Sequence, residues 1–555
     1  MEWIVKKRTE EKLLNQILIN RGITADKFNS FLRPDFARDL FDPYLLSDMD
    51  KAVARIAEAV KSNDKIGIFA DYDADGIPGA ALLYRALTAI GAKAVVYIPS
   101  RESGYGLSEE GINYLVSEGA KLIITIDLGI RSIAEARYCS DKKIDLIISD
   151  HHLPGSEIPD AFAVINPKKP GDEYPFKDLC GCAVSYKIIQ ALAVHYPSIL
   201  NETFLKWNLD LVAISTIADV VSVVGENRVF VKYGLTVLNK TRNIGIKKLI
   251  QNAALKMPIG SYGVGFQIAP RINAPGRIDH ATKSFEILVS DDQSEVDDLA
   301  SCLEEKNIER QDQMATVEQE AVLIIEKNKL DSNNIIIAHG DWPKGVMGPT
   351  ASRLVERYYK PVVLLSKEQE SYTGSARSIS GINIVDLLEA VSQHLIKFGG
   401  HAGAAGLSVS ENNLDKFIAA MVTKSAKIPA EIFARKLKID CEVLASEMNL
   451  QSIKVLDQLE PYGLSNPRPV FVLRDAEIKY LRMVGKDAKH ASFCSLSLGQ
   501  SFKSIYFDKG ENMVKIENGQ KYDLAFNVEI DNWNDNEQVS LKILDLKKSS
   551  VSREN

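Results

Sequence analysis

Three aspartates stand at every second position in the segment FADYDADGIPG, at Asp71, Asp73 and Asp75. The apolar run KIGIF precedes them, and a turn of small residues beginning at Gly76 follows them. Alternate side chains of an extended chain point the same way, so the three carboxylates should converge on one side. Anions in that arrangement repel one another unless cations lie among them, and hard oxygen ligands suit Mg²⁺ or Mn²⁺. The segment therefore predicts a divalent metal site at the end of a buried strand.

Other apolar runs in the same half of the chain also end in residue types that bind metals. KLIITI leads to Asp127, and KIDLIIS leads to Asp150, His151 and His152. The more helical LVAISTIADV delivers Asp219. A single Asp after a strand is usually a turn or capping residue, and paired histidines are often structural. Together, each at the end of an element, these residues are about the ligand complement of a two-metal site, whose ions lie roughly 3.5–4 Å apart.

The elements that must position these residues alternate between helix and strand. Helical AVARIAEAV, AALLYRALTAIG and SEEGINYLVSEG alternate with the strand-like runs KIGIFA, KAVVYIP and KLIITID. This alternation predicts a parallel sheet with helices on both faces, and the continuous apolar character of the strands fits a sheet that is buried on both sides. Ligands of open α/β sheets bind beyond the carboxyl ends of the strands, which is where the Asp and His residues stand.

The rest of the chain predicts a connector and two further domains. A charged helical stretch from Asp291 to Lys327 suits a link between two lobes, and a second α/β segment (NIIIAHG, TASRLVERYYK, PVVLLS) follows it. From about Pro429, short strands separated by turn residues predict a small β-barrel or sandwich. We expect an N-terminal segment (1–50), a catalytic α/β domain (51–285), a connecting helix (286–328), a second α/β domain (329–428), a β-rich domain (429–547) and a disordered tail (548–555).

Composition limits the class of protein. The 555 residues are too many for one core, and a hydrophobic content of 45% is ordinary for a globular chain. The net charge of -7 argues against a general polyanion binder, but not against a nucleic-acid enzyme whose acidic site is neutralised by metal. Six scattered cysteines suggest a reducing compartment. Neither a membrane-spanning run nor a signal-peptide pattern is present, so we expect a cytoplasmic protein without a membrane partner.

Several segments, taken in order, resemble a known family. DYDADG, Asp127 with Leu128 and Gly129, and SDHH resemble the DHH phosphoesterase superfamily. Within it, the RecJ family is similar in the segments SGYGLS, DHHLPGSEIPDAFAVINP, TIADVVSVVGENR, IAPRINAPGR, GSARS, FGGHAGAAGL and LEPYGLSNPRPVF, and the resemblance covers most of the chain. It implies a parallel-sheet DHH domain, a smaller α/β DHH-associated domain joined to it by a long helix, and a C-terminal β-barrel of the OB-fold type.

The resemblance implies a role for each residue of the metal site. Two divalent cations, Mn²⁺ or Mg²⁺, would be bound. One would be held by Asp73 and Asp127, and the other by Asp75, Asp127, His151 and Asp219. His152 would contact the scissile phosphate rather than a metal.

This sequence departs from the family pattern at a few positions. Many DHH proteins have a histidine ligand four residues before the second aspartate of the motif, where this chain has Phe69. Asp71 or water would then complete the first metal sphere. Leu128 replaces a frequent Asn, and Pro343 and Lys344 stand where RecJ proteins commonly have a histidine after the tryptophan.

The same resemblance favours substrate contacts for a further group of residues. Arginine forks and serine hydroxyls suit phosphate oxygens, and glycines allow the backbone to approach a nucleotide closely. A salt bridge or a turn is the alternative role for each. The candidates are Arg101, Tyr105, Arg271, Asn273, Arg277, Ser375, Arg377, Ser378, Gly399, Gly400 and His401, with Arg277, Ser375 and Arg377 favoured for the 5′ end. In the β-rich domain, the candidates for stacking and for a basic groove are Tyr480, Arg482, Lys486, Lys489, Tyr506 and Trp533.

The resemblance implies a metal-dependent 5′→3′ exonuclease that is specific for single-stranded DNA, releases 5′-mononucleotides, and acts in recombination and repair. Single-stranded DNA is the expected substrate, and a single-stranded-DNA-binding protein and a helicase are expected partners of a monomeric enzyme. One alternative is a DHH phosphodiesterase for short RNA or cyclic dinucleotides, although such proteins usually lack the C-terminal barrel. Another is a non-catalytic scaffold, which the retention of every predicted metal ligand disfavours.

Overall fold

The computed structural model describes residues 1–100, 106–485, 488–507, 516–533 and 536–549. Arg101, Tyr105, Lys486, the side chain of Trp533 and the predicted tail from residue 550 onward lie outside this description. Two compact units are present. One comprises Met1–Leu40, Val220–Lys232 and Lys436–Asn555, and the other comprises Phe41–Asp219 and Tyr233–Arg435.

Strands and helices are numbered in chain order within the described residues. The strands are β1 (Glu2–Val5), β2 (Lys65–Ala70), β3 (Lys93–Tyr97), β4 (Ala120–Ile126), β5 (Asp145–Ser149), β6 (Ala163–Ile165), β7 (Ile336–Gly340), β8 (Val362–Lys367), β9 (Ser371–Arg377), β10 (Lys397–His401), β11 (Ala404–Ser410), β12 (Lys436–Ile439), β13 (Cys441–Glu442), β14 (Phe471–Val484), β15 (His490–Ser497), β16 (Gln500–Tyr506), β17 (Lys521–Trp533) and β18 (Asn536–Lys548). The helices are α1 (Leu13–Asn20), α2 (Phe28–Leu32), α3 (Met49–Lys61), α4 (Gly76–Ala89), α5 (Glu109–Ser117), α6 (Ile133–Asp141), α7 (Gly181–His195), α8 (Glu202–Trp207), α9 (Leu209–Ala218), α10 (Gly225–Leu238), α11 (Ile244–Asn252), α12 (Ser261–Gly263), α13 (Ala269–Asn273), α14 (Pro275–Ile278), α15 (Thr282–Val289), α16 (Gln293–Lys327), α17 (Lys344–Tyr358), α18 (Ile384–Glu389), α19 (Leu414–Ser425) and α20 (Leu450–Leu456).

The first sheet has five parallel strands in the order β3-β2-β4-β5-β6. On one face, Ile123 and Ile148 pack against Leu115 of α5 and Cys139 of α6. On the other face lie α4 and α7, which are buried along most of their length. Burial on both sides is the reason why the strands read as continuous apolar runs. The predicted parallel sheet covered by helices is confirmed.

The second sheet is smaller and mixed, in the order β10-β11-β9-β8-β7. Only β7 and β8 pair in parallel, and the other pairs are antiparallel. Tyr372 and Leu407 of this sheet form a core with Leu388 of α18 and Phe417 of α19. A separate cluster joins β7 and β8 to α16 and α17. This arrangement confirms the predicted second α/β domain.

The helix α16 is 35 residues long, which corresponds to about 52 Å. Asp292 caps its first turn, since its carboxylate accepts hydrogen bonds from the backbone of Ser294 and Glu295. The first half of the helix packs on α11 and α15, and the second half packs on α17. The helix therefore joins the two α/β domains, as predicted.

The β-rich segment forms a closed five-stranded barrel in the order β14-β15-β16-β18-β17. The barrel closes because β17 pairs with β14 as well as with β18. Residues along β15 alternate between buried and half-buried positions, which is the period of a strand with one face on a core. Phe471, Leu524 and Phe526 lie in that core. The predicted barrel of the OB-fold type is confirmed.

Candidate metal centre

The carboxyl ends of β2, β4 and β5 bring the acidic residues to one edge of the first sheet. Asp71 follows β2, Asp127 follows β4, and His151 lies just beyond β5. Hydrogen bonds between neighbouring chains continue past the strand ends, from Asp71 N to Ile126 O (3.1 Å) and from Asp127 N to Ser149 O (3.0 Å). Because the three strands are neighbours in the sheet, the loops that carry these side chains meet.

The side chains assemble into overlapping groups of possible metal ligands. One group consists of Asp71, Asp73 and Asp127, a second of Asp75, His151 and Asp219, and a third of Asp127, His151 and His152, with the ligand atoms of each group within 4.8 Å of one another. Asp127 belongs to two of these groups, as a bridging ligand would. The structure thus brings together every residue that the sequence predicts for the metal site.

His151 and Asp127 face each other at the centre of this cluster. His151 Nε2 lies 3.1 Å from Asp127 Oδ1, 3.6 Å from Asp219 Oδ2 and 3.7 Å from Asp75 Oδ2. Within the described residues, neither this nitrogen nor Asp127 Oδ1 makes a hydrogen bond, although both atoms are buried. A buried polar atom without a partner costs about 1–3 kcal/mol. A divalent cation would satisfy both atoms, and a set of carboxylates with one imidazole suits Mn²⁺ or Mg²⁺.

Burial and mutual repulsion disfavour the charged form of these carboxylates. Burial, and then the charge of Asp73, raises the pKa of Asp75 to about 6. Burial, and then the charge of Asp75, raises the pKa values of Asp127 and Asp219 well above their ordinary range. Burial also lowers the pKa of His151 to about 3, so this imidazole is neutral at pH 7 and able to act as a ligand. The protein groups around the cluster do not stabilise its ionised form, whereas bound cations would.

The amino terminus of α7 holds Asp75 in place. The carboxylate of Asp75 accepts hydrogen bonds from Gly181 N (2.6 Å) and Cys182 N (2.8 Å). A β-carbon added at Gly181 would lie 2.5 Å from Cβ of Asp127, so only glycine fits between the helix and the cluster. The sequence analysis did not identify Gly181. The sequence feature that could have identified it is a glycine at the start of a predicted helix, where backbone N–H groups attract anions.

Asp150 orients His152. Its carboxylate lies 2.8 Å from Nδ1 of His152 and also accepts backbone hydrogen bonds from Ile130 and His151. Burial opposes the charged forms of both residues, but their mutual hydrogen bond and charges outweigh it, so the pKa of Asp150 is lowered and that of His152 is raised. The sequence analysis assigned no role of its own to Asp150, although this is the first residue of the DHH motif.

The segment that contains Asn273 supports the loop of the aspartates. Asn273 Oδ1 accepts a hydrogen bond from Ala74 N at 2.7 Å. A β-carbon at Gly276 would lie 2.7 Å from the carbonyl oxygen of Tyr72, so the two segments are in close contact. Asn273, predicted as a substrate contact, uses its side-chain oxygen to hold the loop of the aspartates.

Several other residues that were predicted to contact phosphate make hydrogen bonds within the protein instead. The guanidinium of Arg271 makes two hydrogen bonds to Glu304 of α16, at 2.6 and 3.0 Å, and the residue is 7% exposed. Ser378 donates its hydroxyl to the carbonyl of Ile382. These contacts favour the structural alternative for Arg271 and Ser378. Arg277 donates to the carbonyl of Gly345 at 3.2 Å, at the start of α17.

Arg377 in the second domain is half-buried and has no anionic partner within the described residues. Its Nη1 donates to Ser375 Oγ (2.8 Å) and to the carbonyl of Ala376 (2.9 Å), and within the described residues it forms no ion pair. Burial lowers its pKa. Burial, and then the charges of Arg377 and His152, lowers the pKa of His401. Cationic groups of the two α/β domains are therefore close enough to affect one another.

Glycines beside Ser375 leave the backbone of the second sheet uncovered by side chains. Gly399 of β10 pairs with Gly406 of β11, which pairs with Ser375 of β9. A β-carbon at either of these glycines would meet no atom within 4 Å, so the backbone is open to a ligand. Gly400 has a φ of 152°, and a β-carbon there would lie 2.3 Å from the carbonyl oxygen of Ala404. Gly406 was missed by the sequence analysis, although it belongs to the glycine-rich segment FGGHAGAAG.

The positions that depart from the family pattern have structural explanations. The ring of Phe69 packs 5.0 Å from that of Tyr97, and Leu128 lies in the same apolar cluster, so neither faces a ligand. Pro343 precedes α17. Lys344 forms an ion pair with Glu368 at 2.5 Å.

The barrel residues that were predicted to contact nucleic acid lie partly on the surface and partly in the core. Tyr480 is 80% exposed on β14, and Arg482 and Lys489 are also exposed. Tyr506 is 8% exposed and belongs to the barrel core. Its prediction as a nucleic-acid contact is wrong, because alternate residues of β16 face inward.

Three family models match this chain. They are the DHH family, N-terminal domain, at residues 65–216, the DHHA1 domain at residues 332–426, and the RecJ OB domain at residues 439–545. Among curated proteins, the single-stranded-DNA-specific exonuclease RecJ of Bacillus subtilis is 34% identical, over 98% of this chain and 69% of that protein. The protein of the same name from Dickeya dadantii is 32% identical, over 91% of each chain.

Comparison with solved structures points to the same family as the sequence comparisons. The crystal structure of RecJ in complex with Mn²⁺ from Thermus thermophilus superposes with a TM-score of 0.83 at 26% identity, and it covers 99% of this chain and 80% of that one. Among the described residues, no helix is both long and apolar enough to span a membrane.

Replacing Gly181 with alanine is expected to disrupt the metal centre. The new methyl group would lie 2.5 Å from Asp127 Cβ, so α7 or the Asp127 loop must move. We expect the affinity for Mn²⁺, measured by isothermal titration calorimetry, to fall about 10–100-fold. Gly260→Ala is the matched control, because its methyl group would meet nothing within 4 Å. Equal Mn²⁺ affinities for the two variants would contradict the geometry.

The stability gained from metal is expected to increase with pH. Carboxylates with a raised pKa stabilise the folded state fully below their unfolded pKa of 3.8, and this contribution is lost as the pH rises through the folded value, about 6 for Asp75. In EDTA, the melting temperature should therefore fall by roughly 5 °C as the pH rises from 5 to 7.5. Mn²⁺ should raise the melting temperature more at pH 7.5 than at pH 5, and Asp75→Asn should weaken this dependence. An equal effect of Mn²⁺ at both pH values would count against the site.

Proposed function

The chain belongs to the RecJ family, and from that premise we propose that it is a metal-dependent exonuclease that digests single-stranded DNA from the 5′ end and releases 5′-mononucleotides. The observation that carries the proposal is the pair of ligand groups that meet at Asp127, at the carboxyl edge of a parallel sheet. The relatives named as single-stranded-DNA-specific exonucleases support the substrate, and the 5′→3′ polarity follows from the family resemblance.

The ligand groups suggest how two divalent cations would be held. Asp71, Asp73 and Asp127 would bind one Mn²⁺ or Mg²⁺. Asp75, His151 and Asp219 would bind the other, together with Asp127, whose Oδ1 lies 3.1 Å from His151 Nε2. Such cations, when bound, supply an activated water and neutralise charge on the phosphodiester. The chain itself fixes the ligand atoms. Asp127 is in the left-handed conformation (φ 64°), a strained backbone state of the kind found at functional sites.

His152 would act on the phosphate rather than on a metal. Because Asp150 occupies Nδ1, the other ring nitrogen is the one that would face the substrate. The raised pKa keeps the ring charged over a wider range of pH, so it donates a hydrogen bond to a phosphate oxygen and stabilises the charge that develops there. Asp150 is a positioning residue in this proposal.

The second α/β domain would hold the 5′ end of the strand. Arg377 carries a half-buried positive charge without an ion pair in the described part of the chain, and Ser375 lies beside it. A terminal phosphate would supply the missing anion. The open backbone at Gly399 and Gly406 would allow the first nucleotide to approach closely.

The barrel would bind the rest of the strand, with Tyr480 as an exposed stacking residue and Arg482 beside it. The proposal includes a role in recombination and repair. It also includes a cytoplasmic location, a monomeric state, and a single-stranded-DNA-binding protein and a helicase as partners. The division into domains given by the sequence analysis is part of the proposal as well. A phosphodiesterase for short RNA or cyclic dinucleotides gains no specific support, because a closed barrel suits a polymer.

Digestion of end-labelled strands tests the proposal. With Mn²⁺, a single strand labelled at the 5′ end should release labelled mononucleotide at once, and a strand labelled at the 3′ end should release it only late. Asp127→Ala removes a ligand shared by both groups and should lower the rate by roughly 10³-fold. Cleavage of dinucleotides or short RNA alone would favour the phosphodiesterase, and binding without cleavage in the wild-type protein would favour a scaffold.

Replacing Arg377 with glutamine tests the phosphate anchor. We expect KM for a 5′-phosphorylated strand to rise about tenfold, with a smaller change for a strand that ends in a 5′-hydroxyl, because a charge-assisted hydrogen bond is lost. Arg353→Gln is the matched control, since Arg353 lies on the surface of the same domain and pairs with Glu318. Equal effects on the two substrates would refute the assignment.

A further inference from the structure

A pocket lies at the amino-terminal end of α9, in the same compact unit as the metal centre and at the opposite end of that helix from Asp219. It has a volume of about 340 Å³, and its wall includes Arg85, Thr203, Phe204, Trp207, Asp210 and Arg242. Arg85 comes from the third turn of α4, and Phe204 and Trp207 come from α8. The volume falls at the lower end of the range of about 300–1,000 Å³ that is typical of small-molecule sites. Neither the metal centre nor the phosphate anchor uses any of these residues.

The pocket wall carries a net positive charge, since it contains Arg85, Arg242 and the single carboxylate of Asp210. The charge of Arg85 acts on Asp210, where it opposes the rise in pKa that burial causes. Within the described residues, neither Arg85 nor Arg242 forms an ion pair. The guanidinium of Arg242 lies over the ring of Trp207, 3.8 Å from its centroid. The one carboxylate of the wall, that of Asp210, already accepts hydrogen bonds from Thr241 Oγ1 (2.6 Å) and from backbone N–H. Two arginines and one hydrogen-bonded carboxylate therefore line the pocket.

This combination of groups selects a ligand class. Guanidinium forks suit the oxygens of a phosphate, and aromatic side chains suit the face of a planar base. We infer that the pocket is a second, non-catalytic nucleotide site, with Arg85 and Arg242 on the phosphate of a nucleoside monophosphate and Phe204 and Trp207 beside its base.

The pocket is distinct from the metal centre but is built on the same helices. The helix α9 carries Asp210 of the pocket wall in its first turn and ends one residue before Asp219 of the cluster, which is nine residues or about 13 Å further along. The helix α4 begins next to Asp75 and reaches the pocket at Arg85. A nucleoside monophosphate is also the product of the proposed reaction. That link rests on the proposed function, whereas the binding itself does not.

Fluorescence of the full-length protein tests the inference in EDTA, where cations cannot recruit nucleotides to the metal centre. The probes are 2′-deoxyadenosine 5′-monophosphate, inorganic phosphate and 2′-deoxyadenosine. The nucleotide should quench tryptophan fluorescence saturably, through Trp207, and each of the other two probes should bind at least tenfold more weakly. Inorganic phosphate binding as tightly as the nucleotide would overturn the assignment of a nucleotide site.

Variants locate the binding. Arg242→Gln and Arg85→Gln should each weaken nucleotide binding at least tenfold, and equilibrium dialysis with Trp207→Phe should confirm binding without relying on that fluorophore. Lys240→Gln removes the same charge two residues from Arg242 outside the pocket wall and should bind as the wild type does. Equal binding by wild type and Arg242→Gln, or no saturable binding, would overturn the inference. Because no step of the assay requires hydrolysis, failure of the proposed exonuclease activity would leave this result unaffected.

Discussion

The repulsion among buried carboxylates at one edge of the parallel sheet is the constraint on which the rest of the structure depends. Asp75, Asp127 and Asp219 are placed where burial and their own charges oppose ionisation. Such a cluster is stable in its charged form only with cations, so metal binding and the stability of this edge are coupled. The neutral His151 fits the same requirement, since a charged imidazole could not bind a metal.

The surrounding elements act mainly to hold these groups in place. Backbone N–H groups at the start of α7 fix Asp75, Asn273 fixes the loop of the aspartates, and Asp150 fixes His152. Each of these contacts is a hydrogen bond to a residue next to the reacting centre. Interactions of this kind around a metal site typically affect affinity or activity by 10–100-fold. The second α/β domain adds the complementary feature, a half-buried positive charge at Arg377.

The positions of the candidate metal ligands follow from the sequence because they depend on a local and periodic pattern. An apolar run that ends in Asp or His predicts a side chain at the carboxyl edge of a sheet, and parallel neighbours bring such edges together. The same argument extends to the fold, since helix and strand periods are visible in the sequence over each domain. The resemblance in segments such as SDHH and GSARS identified the family on the same residues.

The tertiary structure alone decided which polar residues are engaged within the protein and which remain available to a ligand. Arg271 and Arg377 look alike in sequence, yet the first pairs with Glu304 across a long chain separation and the second has only neutral partners. Gly181 matters because two distant segments approach closely there. Long-range contacts of this kind leave no periodic signal, so the sequence alone could not predict them.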